Sequence, residues 1–330
     1  MISVNRGNTR YFVVAVLTIA GIFIALFYKN NYFLTVLCQV LCYFIAAAGL
    51  NFVTGLTGQA NLGMAGIFSI GAYTSALCTL RLDMSPWLCF LPVLFMGWLV
   101  GKLLGYPSLR VEGVYLSLTT IVFSEIVRIT LTNLTDFSGG AAGLKYIPTY
   151  RFFGADLGIP KNMLLLLIVI SLIVTYISDR VIRSRWGRAF VSIRDNIEAV
   201  GSCGINVSAM KITAYTLSTL FGALSGALYA HFNTYLNPMV YNSQLSTSFV
   251  VMLIIGGIGT VSGCLIGSIV VRLLPEMLRF MGNYYQFVYS IICLLCIVFL
   301  PGGLVSYIFN HRGTNGKIIL ETFIGKVKKQ

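Results

Sequence analysis

Long apolar stretches alternate with short polar ones along most of the chain. Nine of them are long enough to cross a bilayer as helices, since about 20 residues span about 30 Å of hydrocarbon. They cover residues 11–28, 32–53, 62–80, 87–105, 113–132, 161–178, 211–232, 245–273 and 284–301. The pattern predicts an all-α polytopic integral membrane protein with about 8–10 transmembrane helices, some of them short or broken.

Two of these regions are interrupted by glycine. Residues 245–273 are too long for one untilted span and contain GGIGT at 256–260, so we expect a broken helix there. The sequence GLTGQANLGMAG at 55–66 forms either a glycine-rich turn or an unwound, re-entrant stretch beside a solute path. The candidate path residues are Asn51, Thr57, Gln59, Asn61, Tyr73 and Glu125.

Composition supports the membrane assignment and sets the orientation. Only 10% of the residues are charged and the mean hydropathy is +0.85, whereas soluble proteins carry about a quarter charged residues. The net charge of +13 suits nucleic-acid binding in a soluble protein, but here it fits basic cytoplasmic loops better. We therefore expect an uncleaved first span, with the N-terminus, residues 179–210 and the basic tail 310–330 in the cytoplasm and residues 133–160 outside. The break at 256–260 gives the even number of crossings that this arrangement needs.

The most polar internal segment reads WGRAFVSIRDNIEAVGSCGINV, at residues 186–207. Its apolar residues recur at helical spacing and form one stripe: Trp186, Phe190, Ile193, Ile197 and Val200. The spacing predicts one amphipathic cytoplasmic helix over about 186–203, too short and too charged to span. Its apolar stripe either lies on the lipid surface or fits a groove on a cytoplasmic partner.

Small residues recur every four positions in two of the late spans. One stripe contains Ser218, Gly222 and Gly226, and the other contains Gly259, Gly263 and Gly267. Such stripes let helix backbones approach closely, so we assign them to helix packing.

Glu125 and Arg128 are charged residues inside the predicted span 113–132. At a spacing of three residues they can pair on one helix face. One interpretation is a structural ion pair near the outer end of the span. The other is a polar group that faces the solute path or a second subunit.

The sequence contains no recognisable enzyme or metal site. Most of its eight cysteines lie in apolar stretches, and no Cys or His spacing fits zinc. The phosphate-binding pattern GxxxxGK[ST] is absent, so no bound cofactor is expected and any ATP must be bound by other chains.

Several stretches, in order along the chain, resemble the permease family of ABC-type branched-chain amino acid importers, in its second-permease branch. They are GLTGQANLGMAGIFSIGAYTSAL (55–77), PSLRVEGVYLSLTTIVFSEIVRITLTN (107–133), SGGAAGLKYIP (138–148), GRAFVSIRDNIEAVGSCGINVSAMKITAYTLSTLFGALSGALYA (187–230), GGIGTVSGCLIGS (256–268) and FLPGGL (299–304). The resemblance implies a complex in the bacterial inner membrane with a second permease, two cytoplasmic ATPase subunits and an extracytoplasmic binding protein, and no nucleic acid.

In that family the cytoplasmic helix is a coupling helix gripped by the ATPases. The resemblance assigns this contact to Trp186, Gly187, Arg188, Phe190, Ile193, Arg194, Asp195, Ile197 and Glu198. We expect the large apolar residues Trp186, Phe190 and Ile193 to anchor it, with the charges setting register at the rim.

The resulting division of the chain is an N-terminal region with the first span (1–31), a permease core (32–309) and the basic tail (310–330). The resemblance implies that the solute is a branched-chain or other small amino acid. Urea or a short amide is the alternative within the family. An ion-coupled secondary transporter that uses Glu125 is the alternative from another class.

Overall fold

The computed structural model describes residues 30–152, 155–300 and 302–305. The predicted first span at 11–28 and the basic tail at 310–330 lie outside the described residues, so their expected positions stay predictions.

The described chain is almost entirely helical, as predicted. The helices are α1 (Asn31–Leu50, continued by a π-helical turn at Asn51–Leu56), α2 (Met64–Arg81), α3 (Phe90–Gly105), α4 (Val114–Asn133), α5 (Pro160–Arg183), α6 (Arg185–Asp195), α7 (Ile197–Ser202), α8 (Val207–Asn233), α9 (Ser243–Gly256), α10 (Val261–Met277) and α11 (Tyr285–Phe299). Short helical turns occur at Pro107–Leu109, Thr135–Ser138, Gly140–Ala142, Pro238–Val240 and Leu278–Tyr284. The strands β1 (Arg151–Phe152) and β2 (Ala155–Asp156) pair antiparallel in a loop.

Five helical segments among the described residues are long and apolar enough to cross a membrane. They are Asn31–Leu56, Phe90–Leu109, Val114–Asn133, Pro160–Arg183 and Val261–Gly282. Ser243–Gly256 and Tyr285–Phe299 are apolar but shorter. The protein is therefore an all-α polytopic membrane protein with some short helices, as the hydropathy pattern predicts.

The expected break at 256–260 is confirmed. Helix α9 ends at Gly256, Gly257 has φ +123°, and Thr260 begins α10 by accepting the Gly263 N–H at its hydroxyl. The two arms run antiparallel, since Gly256 packs on Gly263, and Met252 on Gly267. They form a hairpin whose tip is residues 257–260 and whose two other ends meet on the same side.

Helix α8 lies at the centre of the bundle. Its N-terminus is capped by Asn206, and its small residues let α1, α2 and α3 come close. A Cβ at Gly222 would lie 2.6 Å from the Met64 methyl, and one at Gly226 would meet the Phe68 carbonyl. Ser218 places its carbonyl 2.8 Å from the Cβ position of Gly49 on α1. This stripe packs against the chain's own helices.

The packing prediction for the second small-residue stripe is only partly right. Gly263 and Gly267 pack against α9 within the hairpin. Gly259 does not lie on a helix: it is in the tip, with φ +82° and with the Gly55 carbonyl oxygen 4.0 Å from its Cβ position. Its role there is conformational, because L side chains rarely adopt such a φ.

The two ends of the bundle differ in charge and structure. We call one the basic end, which carries Arg110, Arg183, Arg185, Arg188 and Arg194. The other, the opposite end, contains the loops 82–89, 134–159 and 234–242.

The loop 139–152 covers the opposite end and is held there by the end of α8. Leu144 exchanges two backbone hydrogen bonds with Leu236, of 3.0 and 2.9 Å. His231 is buried, with Nδ1 2.6 Å from the Pro148 carbonyl oxygen and Nε2 2.7 Å from the Ser75 hydroxyl. A carbonyl only accepts, so Nδ1 carries the proton. Burial raises the pKa of the neighbouring Tyr150 hydroxyl well above its usual value, so that phenol stays neutral.

Candidate functional site at the basic end

The site begins where α5 ends and the chain bends sharply into α6. The Ser184 hydroxyl accepts hydrogen bonds from the N–H groups of Trp186 and Gly187, at 3.2 and 3.4 Å. At Gly187 a Cβ would lie 2.5 Å from the Val181 carbonyl oxygen and would also meet that of Ile182. Gly187 is therefore required by the bend and is buried, not a partner contact as the sequence suggested.

The apolar stripe of α6 faces the protein itself. Phe190 and Ile193 are 0% and 1% exposed, and Phe190 belongs to the main hydrophobic cluster. The expectation that these two residues anchor a separate partner is wrong, because neither has free surface. Trp186, at 49% exposed, remains available.

The predicted single helix over 186–203 is two helices. Asn196, with φ −160° and ψ 107°, ends α6, and its side chain accepts the Ala199 N–H at 3.1 Å to start α7. Ile197 consequently leaves the stripe and is 40% exposed, whereas Val200 is buried. An Asn two residues before Glu198 is a helix-start signal that the periodicity concealed.

The charges of α6 divide between two directions. Arg194 turns inward, and its Nη1 donates to the Gly55 carbonyl oxygen at 3.1 Å. The sequence predicted only a contact at the rim of the partner surface for Arg194, and the structure adds this internal hydrogen bond. Arg188 donates to the Arg183 carbonyl oxygen at 3.0 Å and stays exposed, as do Asp195 and Glu198.

Residues 57–63 are unwound and fold back on the end of α1. Gly58 turns the chain with φ +71°, and the Gln59 N–H then donates to the Val53 carbonyl oxygen at 3.2 Å. The Leu62 N–H donates to the Thr120 hydroxyl of α4 at 2.9 Å. The structure thus shows an unwound, largely buried stretch, and its position beside a solute path stays a prediction.

Most of the candidate path side chains make internal hydrogen bonds. Asn51 accepts the Gly259 N–H at 2.9 Å, and Thr57 donates to the Val53 carbonyl oxygen at 2.7 Å. The Tyr73 hydroxyl donates to the Leu236 carbonyl oxygen at 3.4 Å.

Two amides in the unwound stretch are different. Both amide atoms of Gln59 and Nδ2 of Asn61 are buried without a hydrogen-bond partner among the described residues. An unsatisfied buried polar group costs about 1–3 kcal/mol, so a water molecule or another polar group that reached these atoms would be bound favourably.

Glu125 is tied to two other groups. Its Oε2 is 2.7 Å from Nε of Arg128, and its Oε1 accepts the Ser243 N–H at 3.0 Å. Arg128 also contacts the Met239 sulfur, at 3.5 Å from Nη1. The pair thus joins α4 to the start of α9, and both side chains are about one quarter exposed.

Helix α4 is the least covered of the five long spanning segments among the described residues. Its buried residues are Leu116, Thr120 and Ser124, and its outer face is Tyr115, Leu118, Val122, Ile126 and Ile129. An open groove of about 630 Å³ lies along this face at the basic end, lined partly by Arg110, Glu112 and Thr119.

Among the described residues, no group of three or more His, Cys, Asp or Glu side chains could hold a metal ion. The site therefore consists of the amphipathic helix α6, an unwound polar stretch and a helical hairpin.

Comparison with known proteins shows which family the chain belongs to. The family described as "Branched-chain amino acid transport system / permease component" matches residues 32–300. The chain belongs to this family. The resemblance read from the motifs is confirmed, and the chain is the permease component of a transporter, inserted in the membrane by several helices.

The relatives are of two kinds. The "high-affinity branched-chain amino acid transport system permease protein LivM" of Escherichia coli K12 is 30% identical over 286 residues, which are 80% of this chain and 67% of the relative. A probable LivM of Methanocaldococcus jannaschii is 22% identical, covering 64% of this chain and 65% of the relative. The ribose import permease RbsC of Haemophilus influenzae is 25% identical, covering 82% and 85%. No solved structure matches the chain.

Proposed function

We propose that this permease forms part of the translocation path of an ATP-driven importer for branched-chain amino acids. The similarity to LivM over four fifths of the chain carries the proposal. The remaining components are a second permease, two cytoplasmic ATPase subunits that bind the ATP, and an extracytoplasmic binding protein. In this arrangement the protein lies in the bacterial inner membrane with its basic end in the cytoplasm, which agrees with the positive-inside rule.

The surface for the ATPases is the outer side of α6 and α7. It consists of Trp186, Arg188, Asp195, Ile197 and Glu198. A large exposed aromatic residue among mixed charges is typical of a protein contact, whereas a purely lipid-bound helix would lack the acidic members.

The second permease is proposed to cover the outer face of α4. That face combines a row of exposed apolar residues with the partly exposed pair Glu125 and Arg128 and with a groove at the basic end. Charged groups inside a span are costly against lipid, so they face protein or a watery cavity.

Gln59 and Asn61 are proposed to line the path. An amino acid zwitterion carries a carboxylate that accepts hydrogen bonds and an ammonium group that donates them, and unpaired amides offer both a donor and an acceptor to these groups. The unwound backbone around them is tolerated at this depth because protein surrounds it.

The test is radiolabelled leucine uptake into proteoliposomes that contain the complete transporter and its binding protein. Uptake should depend on ATP and on this chain, and unlabelled isoleucine and valine should compete whereas urea and ribose should not. A Gln59→Leu variant should assemble normally and lose most uptake, and Gln59→Glu should alter it less. Competition by urea or ribose, or uptake driven by an ion gradient without ATP, would assign a different function.

A further inference from the structure

Arg194 links the docking helix α6 to the unwound stretch. Besides its bond to the Gly55 carbonyl oxygen, its aliphatic stem lies on Gly58, where a Cβ would be 2.6 Å from Cγ and 3.3 Å from Cδ of Arg194. Gly58 has φ +71°, so the backbone there is shaped for this close approach. The Arg194 side chain therefore contacts the turn that ends α1 at two points, Gly55 and Gly58.

The same turn is linked to the hairpin tip. Asn51, one π-helical turn before Gly55, is 1% exposed and accepts the Gly259 N–H at 2.9 Å. Gly55 has no side chain, and a Cβ there would meet Oδ1 of Asn51 and lie 3.0 Å from the Gly259 nitrogen. The side-chain oxygen of Asn51 thus lies against the Gly55 backbone and accepts the Gly259 N–H, so one contact joins the three residues.

We propose that Arg194 is a positioning residue that passes displacement of α6 to the hairpin tip through Gly55 and Asn51. Two hydrogen bonds and one turn of π-helix connect the guanidinium to Gly259. The π-turn is suited to this, because such turns are irregular insertions that often occur at functional sites. The inference rests on the proposed function, in which ATPase subunits move α6.

The alternative is that Arg194 only stabilises the fold. Its side chain pairs weakly with Asp195, at 3.5 Å from Nε to Oδ1, and is 41% exposed. A purely structural bond of this kind would leave the transported amount per ATP unchanged when removed. A positioning residue would change that ratio.

The first test uses Arg194→Met, which keeps the aliphatic stem on Gly58 but removes the donor. In the reconstituted transporter we expect normal assembly and ATP hydrolysis, and about tenfold less leucine taken up per ATP. The control is Arg185→Met, an exposed arginine on the same helix, which should leave the ratio unchanged. A wild-type ratio in Arg194→Met would overturn the proposal.

A double-mutant cycle tests whether Arg194 and Asn51 act on the same route to the hairpin tip or on two separate ones. Asn51→Ala removes the acceptor of the Gly259 N–H and should lower the ratio by a similar factor. If the two residues act in series, the double variant is no worse than the poorer single variant. Losses that multiply would contradict a shared route.

A solute-independent readout separates this inference from the proposed substrate. In a Cys203→Ser background, Ile258→Cys places a thiol at the exposed tip, and its labelling rate by a maleimide is measured with and without vanadate-trapped nucleotide. Nucleotide should change the rate when Arg194 is present and not in Arg194→Met. That result with no leucine uptake would refute the substrate and keep the relay, and an unchanged rate in the unmodified protein would refute the relay.

Discussion

The carboxylate of Glu125 accepts the backbone N–H of Ser243, at 3.0 Å. Ser243 is the first residue of α9, where backbone N–H groups have no partner within the helix and favour a negative charge. The second carboxylate oxygen pairs with Arg128. Glu125 therefore fixes the start of the hairpin's shorter arm to α4.

This arrangement predicts different effects for two substitutions of Glu125. Glu125→Gln keeps an oxygen for the Ser243 N–H and should lower the free energy of unfolding by no more than about 1 kcal/mol. Glu125→Leu removes the carboxylate that both that N–H and Arg128 bind, and should cost about 2–3 kcal/mol. Denaturant unfolding in detergent measures both. A Gln variant that folds normally but transports nothing would instead make the carboxylate part of transport, as in an ion-coupled carrier.

Close packing at α8 predicts a contrast between two glycines. Gly226→Ala places a methyl against the Phe68 carbonyl and should destabilise the protein by about 1–3 kcal/mol. Gly201→Ala, on α7 with open space around it, should be neutral or stabilising by up to about 1 kcal/mol. Melting temperatures in detergent compare the pair, and equal shifts would show that the close approach has no energetic weight.

The orientation of α6 predicts that its two large aromatic residues have different roles. Phe190→Ala removes a fully buried ring and should cost about 3–5 kcal/mol of stability, lowering the amount of folded protein in the membrane. Trp186→Ala should change stability by less than about 0.5 kcal/mol and instead weaken co-purification of the ATPase subunits. A stable, uncoupled Phe190→Asp variant would contradict the burial of that side chain.

The His231 contacts predict how the loop 139–152 is held. His231→Ala removes the donor to the Pro148 carbonyl oxygen and should cost about 1–3 kcal/mol. Limited proteolysis should then cut the loop faster. Lys145→Ala, an exposed change in the same loop, serves as the control and should leave the cleavage rate unchanged. Equal rates in the two variants would show that other contacts hold the loop.

Hydropathy and glycine positions predicted most of the fold. The break in 245–273 could be foreseen because a chain of that length with GGIGT in its middle cannot form one span. The small residues of α8 could likewise be assigned to packing, because small side chains let the backbones of neighbouring helices come close to it.

The predictions that failed concern which side of an element meets which neighbour. The stripe of Phe190 and Ile193 identified an apolar face of α6, but amphipathicity does not say whether that face meets the same chain or another one. The internal partner of Arg194 could not be predicted for the same reason, since it is a backbone carbonyl 139 positions away in sequence. The break at Asn196 was hidden because Ile197 and Val200 continue the helical spacing across it.

Both arms of the hairpin Ser243–Met277 connect to the rest of the described chain at the end opposite its tip. A pair held in this way can rotate about its base without stretching either connection. The arm of α9 is about 21 Å long, so a rotation of about 5° at the base moves residues 257–260 by about 2 Å. Shifts of about 1–2 Å are typical of packed helices that switch between two states, so the proposed relay requires only a small rotation of the hairpin.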